Sequence, residues 1–163
     1  MTKAYPEWMG KMRGLTAAEI STFLQGSVIA RLATVAPDGT PYVVPVWQEW
    51  DGAHLYIIGR LRSLYVAHIK INSRVAVSCA IDTSPYTRVQ FRGTAEIAEG
   101  PAPMQGAMLE MARRMARRYL GERGPDYLEP TVPRPRYLIR VTPSETISWE
   151  GVEWHEKYTD AAS

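Results

Sequence analysis

Gly59-Arg60-Leu61-Arg62-Ser63 is the stretch best suited to chemistry, lying between an apolar strand pattern and the start of a helical one. A helix N-terminus offers unpaired backbone N–H groups and a partial positive charge. Two guanidinium groups and a hydroxyl beside it suit an anion, a phosphate above all. The alternative is a solvated strand end with Ser63 as a plain N-cap. Other chemistry is sparse. The chain contains no G-x-S-x-G, H-E-x-x-H, P-loop or G-x-G-x-x-G motif. The three histidines His54, His68 and His155 share no metal-ligand spacing, so no metal site is expected. Cys79 lies in the apolar run Val75–Ala80 and reads as a small buried hydrophobe. The lack of a nucleophile or metal set favours cofactor chemistry or binding over hydrolysis, and no catalytic residue can be named.

The elements that must hold this stretch follow from periodicity. Thr16-Ala17-Ala18-Glu19 matches a capping box. Ile20, Phe23 and Leu24 then fall on one helical face, which predicts a helix over 17–25 ending near Gly26. Val28–Ala36, Tyr42–Trp50 and Leu55–Ile58 read as strands, with turns at Pro37-Asp38-Gly39 and Asp51-Gly52, and predict a three-stranded meander. Ser63–Ile71 reads as a helix with Leu64, Ala67, His68 and Ile71 on one face. Arg74–Asp82 and Arg88–Glu99 are further strands. Met104, Met108, Met111, Met115 and Tyr119 recur at helical spacing over 103–120 and read as core. Arg113, Arg114, Arg117, Arg118 and Arg123 read as a solvated face, or secondarily as a docking site for an acidic partner. Strands at 136–142 and 146–149 close the pattern after a Pro-rich connection over 125–135. Trp47, Trp50, Trp149 and Trp154 exceed the needs of a small core and suit a flat-ligand pocket or an interface.

The fold class predicted is mainly β with flanking helices: six or seven antiparallel strands closing into a small split barrel. One domain spans 1–163, with the barrel over about 28–100, closing strands over 136–150 and a C-terminal tail over 151–163. The composition agrees, with 163 residues, 45% hydrophobic, 22% charged and a net charge of +2. That charge balance gives no bulk argument for nucleic acid. One cysteine excludes an internal disulfide, and no apolar run is long enough for a membrane helix or a secretory leader. A cytoplasmic protein without a membrane or nucleic-acid partner is expected.

The segments A-R-L-A-T-V-A-P-D-G-T-P-Y-V-V-P-V-W (30–47), R-S-L-Y-V-A-H-I-K-I-N-S-R-V-A-V (62–77) and V-Q-F-R-G-T-A-E-I (89–97) resemble, in order and spacing, the pyridoxamine-phosphate-oxidase-like split barrels. The resemblance covers about 20–150. It implies a homodimeric FMN-dependent oxidoreductase acting on a small conjugated molecule, with the cofactor at the subunit interface. The alternatives are the deazaflavin coenzyme F-420 and a non-catalytic carrier of flavin or of haem. By position, the phosphate falls to Arg60, Arg62 and Ser63, and the ring to Val44, Val46, Trp47, Ile57, Ile58 and Gln90. Two departures stand out. Many relatives carry Ser-Arg-Lys where this chain has Ser63-Leu64-Tyr65. The C-terminal Arg-x-His pair of the vitamin B6 oxidases is absent, so that activity is not expected.

Overall fold

The computed structural model describes residues 13–83 and 85–151. Trp154, His155 and the rest of the tail expected over 152–163 lie outside them. The elements run α1 (Ala17–Leu24), β1 (Ala30–Val35), β2 (Pro41–Val46), β3 (Glu49–Trp50), β4 (Leu55–Arg60), α2 (Leu64–Ile71), β5 (Arg74–Ala80), β6 (Arg88–Ala102), α3 (Gly106–Leu120), α4 (Gly124–Leu128) and β7 (Arg136–Trp149). A single 3-10 turn, Glu129–Thr131, follows α4.

Helix α1 forms where its local code says. Thr16 Oγ1 accepts the Glu19 N–H, and Glu19 accepts the Thr16 N–H at 2.8 Å. The β1–β2 hairpin turns on Gly39, whose φ of 86° suits a residue without Cβ. The Asp38 carboxylate accepts the Thr40 N–H there.

The seven strands form one antiparallel sheet in the order β2-β1-β5-β6-β7-β4-β3. The meander expected from β1 to β4 is therefore wrong. Among the described residues, strand β2 pairs only with β1, whereas β4 pairs with β3 and β7, at the opposite end of the sheet. The stretch 42–50, read as one strand, is two strands on opposite edges, joined by Trp47 and Gln48. Extended composition cannot reveal that a chain changes partners. The sheet curls but does not close by hydrogen bonds, so β2 and β3 flank an open seam. The expected strands 136–142 and 146–149 are instead one continuous strand, β7. The register against β6 shifts between Arg92 and Gly93, and this bulge accommodates Pro143, which cannot donate to a ladder. A Cβ on Gly93 would lie 2.1 Å from the Thr142 carbonyl oxygen, so the bulge needs glycine.

The core inside the sheet gathers Leu32, Leu55, Ile57, Val77, Val89, Phe91 and Ile139, all at most 2% exposed. Phe91 stacks on Trp50 with centroids 5.2 Å apart. A second apolar layer lies outside β4 and β7, where Met104, Met108, Ala112, Ala116 and Leu128 cover Leu138, Ile58 and Trp47. The methionine stripe is thus core, as its spacing implies. The five-residue α4 was not expected, although a proline in a first helical turn loses no hydrogen bond.

Helix α2 buries a different face from the one its sequence suggests. Tyr65, Val66, His68 and Ile69 point inward, while Leu64 and Ile71 are 59% and 68% exposed. Gly59 of β4 sets this rotation. A Cβ there would lie 2.9 Å from Val66 Cγ2, so the missing side chain is the seat that Val66 and Tyr65 occupy.

Candidate functional site

A cleft opens along this seam. Its cavity volume is ≈ 790 Å³. Strand β2 supplies Tyr42, Val44, Pro45 and Val46, and Trp47 follows at its end. Strand β4 supplies Ile58 and Arg60 from its outward face, because Leu55, Ile57 and Gly59 alternate inward. The α2 entry supplies Ser63, Leu64 and Tyr65. The α3–α4 layer closes one side with Met104, Met115, Tyr127 and Leu128.

The two ends differ in chemistry. At one end, Arg60, Arg134 and Arg136 converge beside Ser63. Arg60 and Arg136 are direct partners across β4 and β7. Among the described residues no carboxylate lines the cleft, and none of the three arginines makes an ion pair. Arg136 pays for this crowding. Burial lowers its pKa first, and the Arg60 and Arg134 charges lower it further. Tyr65 is raised by burial, against the opposing effects of a Ser63 hydrogen bond and the Arg60 charge. Ser63 is the N-cap of α2 but makes no side-chain cap bond. The rest of the lining is largely apolar, with Trp47, Met104, Met115 and Leu128.

Trp47 is held from behind. Its ring stacks on Tyr119 of α3 at 5.2 Å and 10°. Trp47 lines the cleft and Tyr119 does not, so the stack braces Trp47 from outside the lining. The exposed Tyr127 ring touches Trp47 at a tilt, with centroids 6.4 Å apart.

Six of the residues expected from sequence meet in this cleft: Val44, Val46, Trp47, Ile58, Arg60 and Ser63. Three do not. Ile57 points into the core at 1% exposure. Arg62 lies exposed on the turn and does not line the cleft. Gln90 is exposed on β6, in a separate depression of ≈ 380 Å³ on the other side of the sheet with Arg31, Ser78 and Ile147. The residues missed are Arg134 and Arg136. Their signal was the alternation Pro133-Arg134-Pro135-Arg136, an extended run placing two cations at a strand entry.

The arginines of α3 are not a simple solvated face. Arg118, 16% exposed, donates to the Gln48 carbonyl at 2.9 Å and to Glu49 at 2.5 Å, and Arg114 donates to Glu49 at 2.8 Å. Arg113 pairs with Glu110 and Glu129. Cys79 is fully buried, and burial pushes its thiol up to about 12. Among the described residues no group of acidic, histidine and cysteine side chains could hold a metal, and no helix is long and apolar enough to cross a membrane.

Comparison with known proteins agrees with this architecture. No curated protein sequence matches the chain significantly. A conserved hypothetical protein of Mycobacterium tuberculosis is 27% identical, with a TM-score of 0.66 over 86% of this chain and 90% of that one. A solved F420 reductase is 29% identical, with a TM-score of 0.62 over 77% of this chain and 94% of its own. A FAD-binding protein of Mesorhizobium loti is 25% identical, with a TM-score of 0.62 over 88% and 98%. The sequence profile described as pyridoxamine 5'-phosphate oxidase matches residues 16–150, which run from the cap of α1 to the end of β7. A seven-stranded sheet split along one seam, under a profile of that extent, places the chain in the pyridoxamine 5'-phosphate oxidase-like split-barrel family.

Proposed function

We propose that this chain is a flavin- or deazaflavin-dependent oxidoreductase, moving two electrons as a hydride to or from a small conjugated molecule in the seam cleft. The observation that carries the reading is the cleft's division into a cationic end and a flat apolar wall. Three guanidinium groups beside Ser63, without acid partners among the described residues, fit an anionic cofactor tail. Val44, Val46, Trp47 and Ile58 fit a planar ring. The names of two relatives, an F420 reductase and a FAD-binding protein, point to the same cofactor class.

A bound cofactor of this class supplies the hydride-carrying ring. The chain's own residues do the rest. Arg60 and Arg136, opposite each other on β4 and β7, clamp the phosphate, with Arg134 and Ser63 beside them. The apolar wall excludes water from the ring.

FMN and coenzyme F-420 both meet these demands. Three arginines exceed what one phosphate requires, and this surplus favours the deazaflavin, whose tail carries further anionic groups. The half-open cleft suits completion by a second subunit, so we take the protein as a homodimer with the cofactor at the interface.

Titration with FMN and with F-420, followed by absorption, tests the reading. Saturable binding of either is expected. Arg60→Ala should weaken it by about 10- to 150-fold, in line with a charged hydrogen bond of ~1.5–3 kcal/mol. Arg62→Ala should leave it unchanged. Binding of neither cofactor by folded protein, or a haem spectrum without hydride transfer, would overturn the assignment.

A further inference from the structure

Trp47 and Gln48 link β2 to β3 across the seam, and their backbone groups lie between two edges that do not pair. Helix α3 meets them instead. The Tyr119 hydroxyl accepts the Gln48 N–H at 3.3 Å and donates to the Val28 carbonyl at 2.7 Å. Arg118 binds the Gln48 carbonyl and clamps Glu49 together with Arg114. Gln48 itself is fully buried, and its Nε2 donates to the Leu24 carbonyl at 2.7 Å. The same Tyr119 carries the ring on which Trp47 is stacked.

We infer that Tyr119 and Arg118 are positioning residues: a clasp from α3 across the seam that fixes the plane of Trp47 and so the slot open to a flat ligand. Neither residue touches that ligand. Tyr119 sets the tilt of Trp47 by stacking and its height by holding Gln48. Arg118 prevents the link from sliding by binding the residues on its far side. The clasp acts on the apolar end of the cleft and leaves the Arg60–Arg136 end alone. For its ligand, the inference rests on the function proposed above; for the placement of Trp47, it does not.

The test uses Tyr119→Leu, which removes the stack and both hydrogen bonds, and Tyr119→Phe, which keeps the stack alone. Arg118→Lys keeps the charge but cannot span both partners. Folding is checked by circular dichroism and thermal melting. Acrylamide quenching, with Trp47→Phe subtracted, reads Trp47 without any cofactor. Riboflavin probes the ring slot and inorganic phosphate the cationic end.

In folded Tyr119→Leu, Trp47 should become several-fold more quenchable. Riboflavin should bind about two- to tenfold more weakly, the range expected for one aromatic stack, and phosphate binding should not change. Tyr119→Phe should recover most of the riboflavin affinity, and Arg118→Lys should fall between. Unchanged Trp47 quenching in a folded Tyr119→Leu variant would overturn the clasp. So would an equal loss of riboflavin and phosphate, which would mean general loosening. If wild-type protein binds no flavin or deazaflavin, the proposed function fails, and the quenching result alone still decides the clasp. Should Tyr119→Leu not fold, Tyr119→Phe and Arg118→Lys carry the same decision: quenching unchanged in both overturns it.

Discussion

Arg136→Gln should make the ligand-free protein more stable and its anion binding weaker. The structure supplies both signs. Arg136 stands directly across the ladder from Arg60, with Arg134 also near, and among the described residues no carboxylate compensates. Like charges opposite each other on neighbouring strands destabilise a sheet. Arg60 and Arg134 are exposed and Arg136 is half-buried, so screening keeps the effect small, on the order of 0.2–1 kcal/mol by comparison with exposed ion pairs. For a domain of this size that is about 0.5–4 °C in Tm. The same guanidinium facing a phosphate contributes ~1.5–3 kcal/mol, or about 10- to 150-fold in Kd. Melting curves with and without phosphate, and calorimetric titration with FMN and F-420 at two salt concentrations, read both sides. The curves of mutant and wild type should cross, with the mutant higher without ligand and lower when ligand is saturating. A mutant that melts lower without ligand and binds as tightly as wild type would show that Arg136 is a structural residue. The account of the cationic end would then be refuted.

Three further perturbations probe the frame around the site. Gly59→Ala puts a methyl 2.9 Å from Val66 Cγ2 and 3.3 Å from Ile139 Cδ1, and overpacking of this kind costs about 1–3 kcal/mol; a Tm unchanged from wild type would contradict the seating of α2. The Arg13 hydrogen bond, helped by Thr16, holds the Glu19 carboxyl down at about 2 from its ordinary 4.5. Its contribution to stability is therefore fully present above pH 4.5 and is lost as pH falls toward 2, so the Tm gap between wild type and Glu19→Gln should close across that window and stay constant above it. Cys79, buried and raised to about 12, should resist iodoacetamide at pH 8 until the protein unfolds; labelling at the rate of a free thiol in folded protein would contradict its placement.

What could be read in the sequence was local. The capping box of α1, the turn at Gly39 and the methionine spacing of α3 each depend on neighbours within a few residues, and each formed as expected. The phosphate end was half legible for the same reason, since Arg60 and Ser63 flank the start of α2. Arg134 and Arg136 stand more than 70 residues away and reach the site only through the β4–β7 register. Strand alternation also separates what the resemblance grouped together: Ile57 and Ile58 are adjacent, so one faces the core and the other the cleft. The buried face of α2 was misread because a missing side chain on another strand, Gly59, decides it. The change of edge at Trp47-Gln48 left no mark in composition, because a strand that leaves the ladder and one that continues it look alike.

The order of the strands also governs when the protein can become whole. Leu55 and Ile57 of β4 find their main ladder partners, Val141 and Ile139, at the far end of the described chain. As the polypeptide leaves the ribosome, the β1–β2 hairpin can form at once and β5 and β6 can join it. The short β3–β4 hairpin must wait with one apolar face and one edge unpaired until β7 has been made. A nascent chain halted before residue 136 would expose that edge, which makes this interval the natural point for a chaperone to intervene or for aggregation to begin.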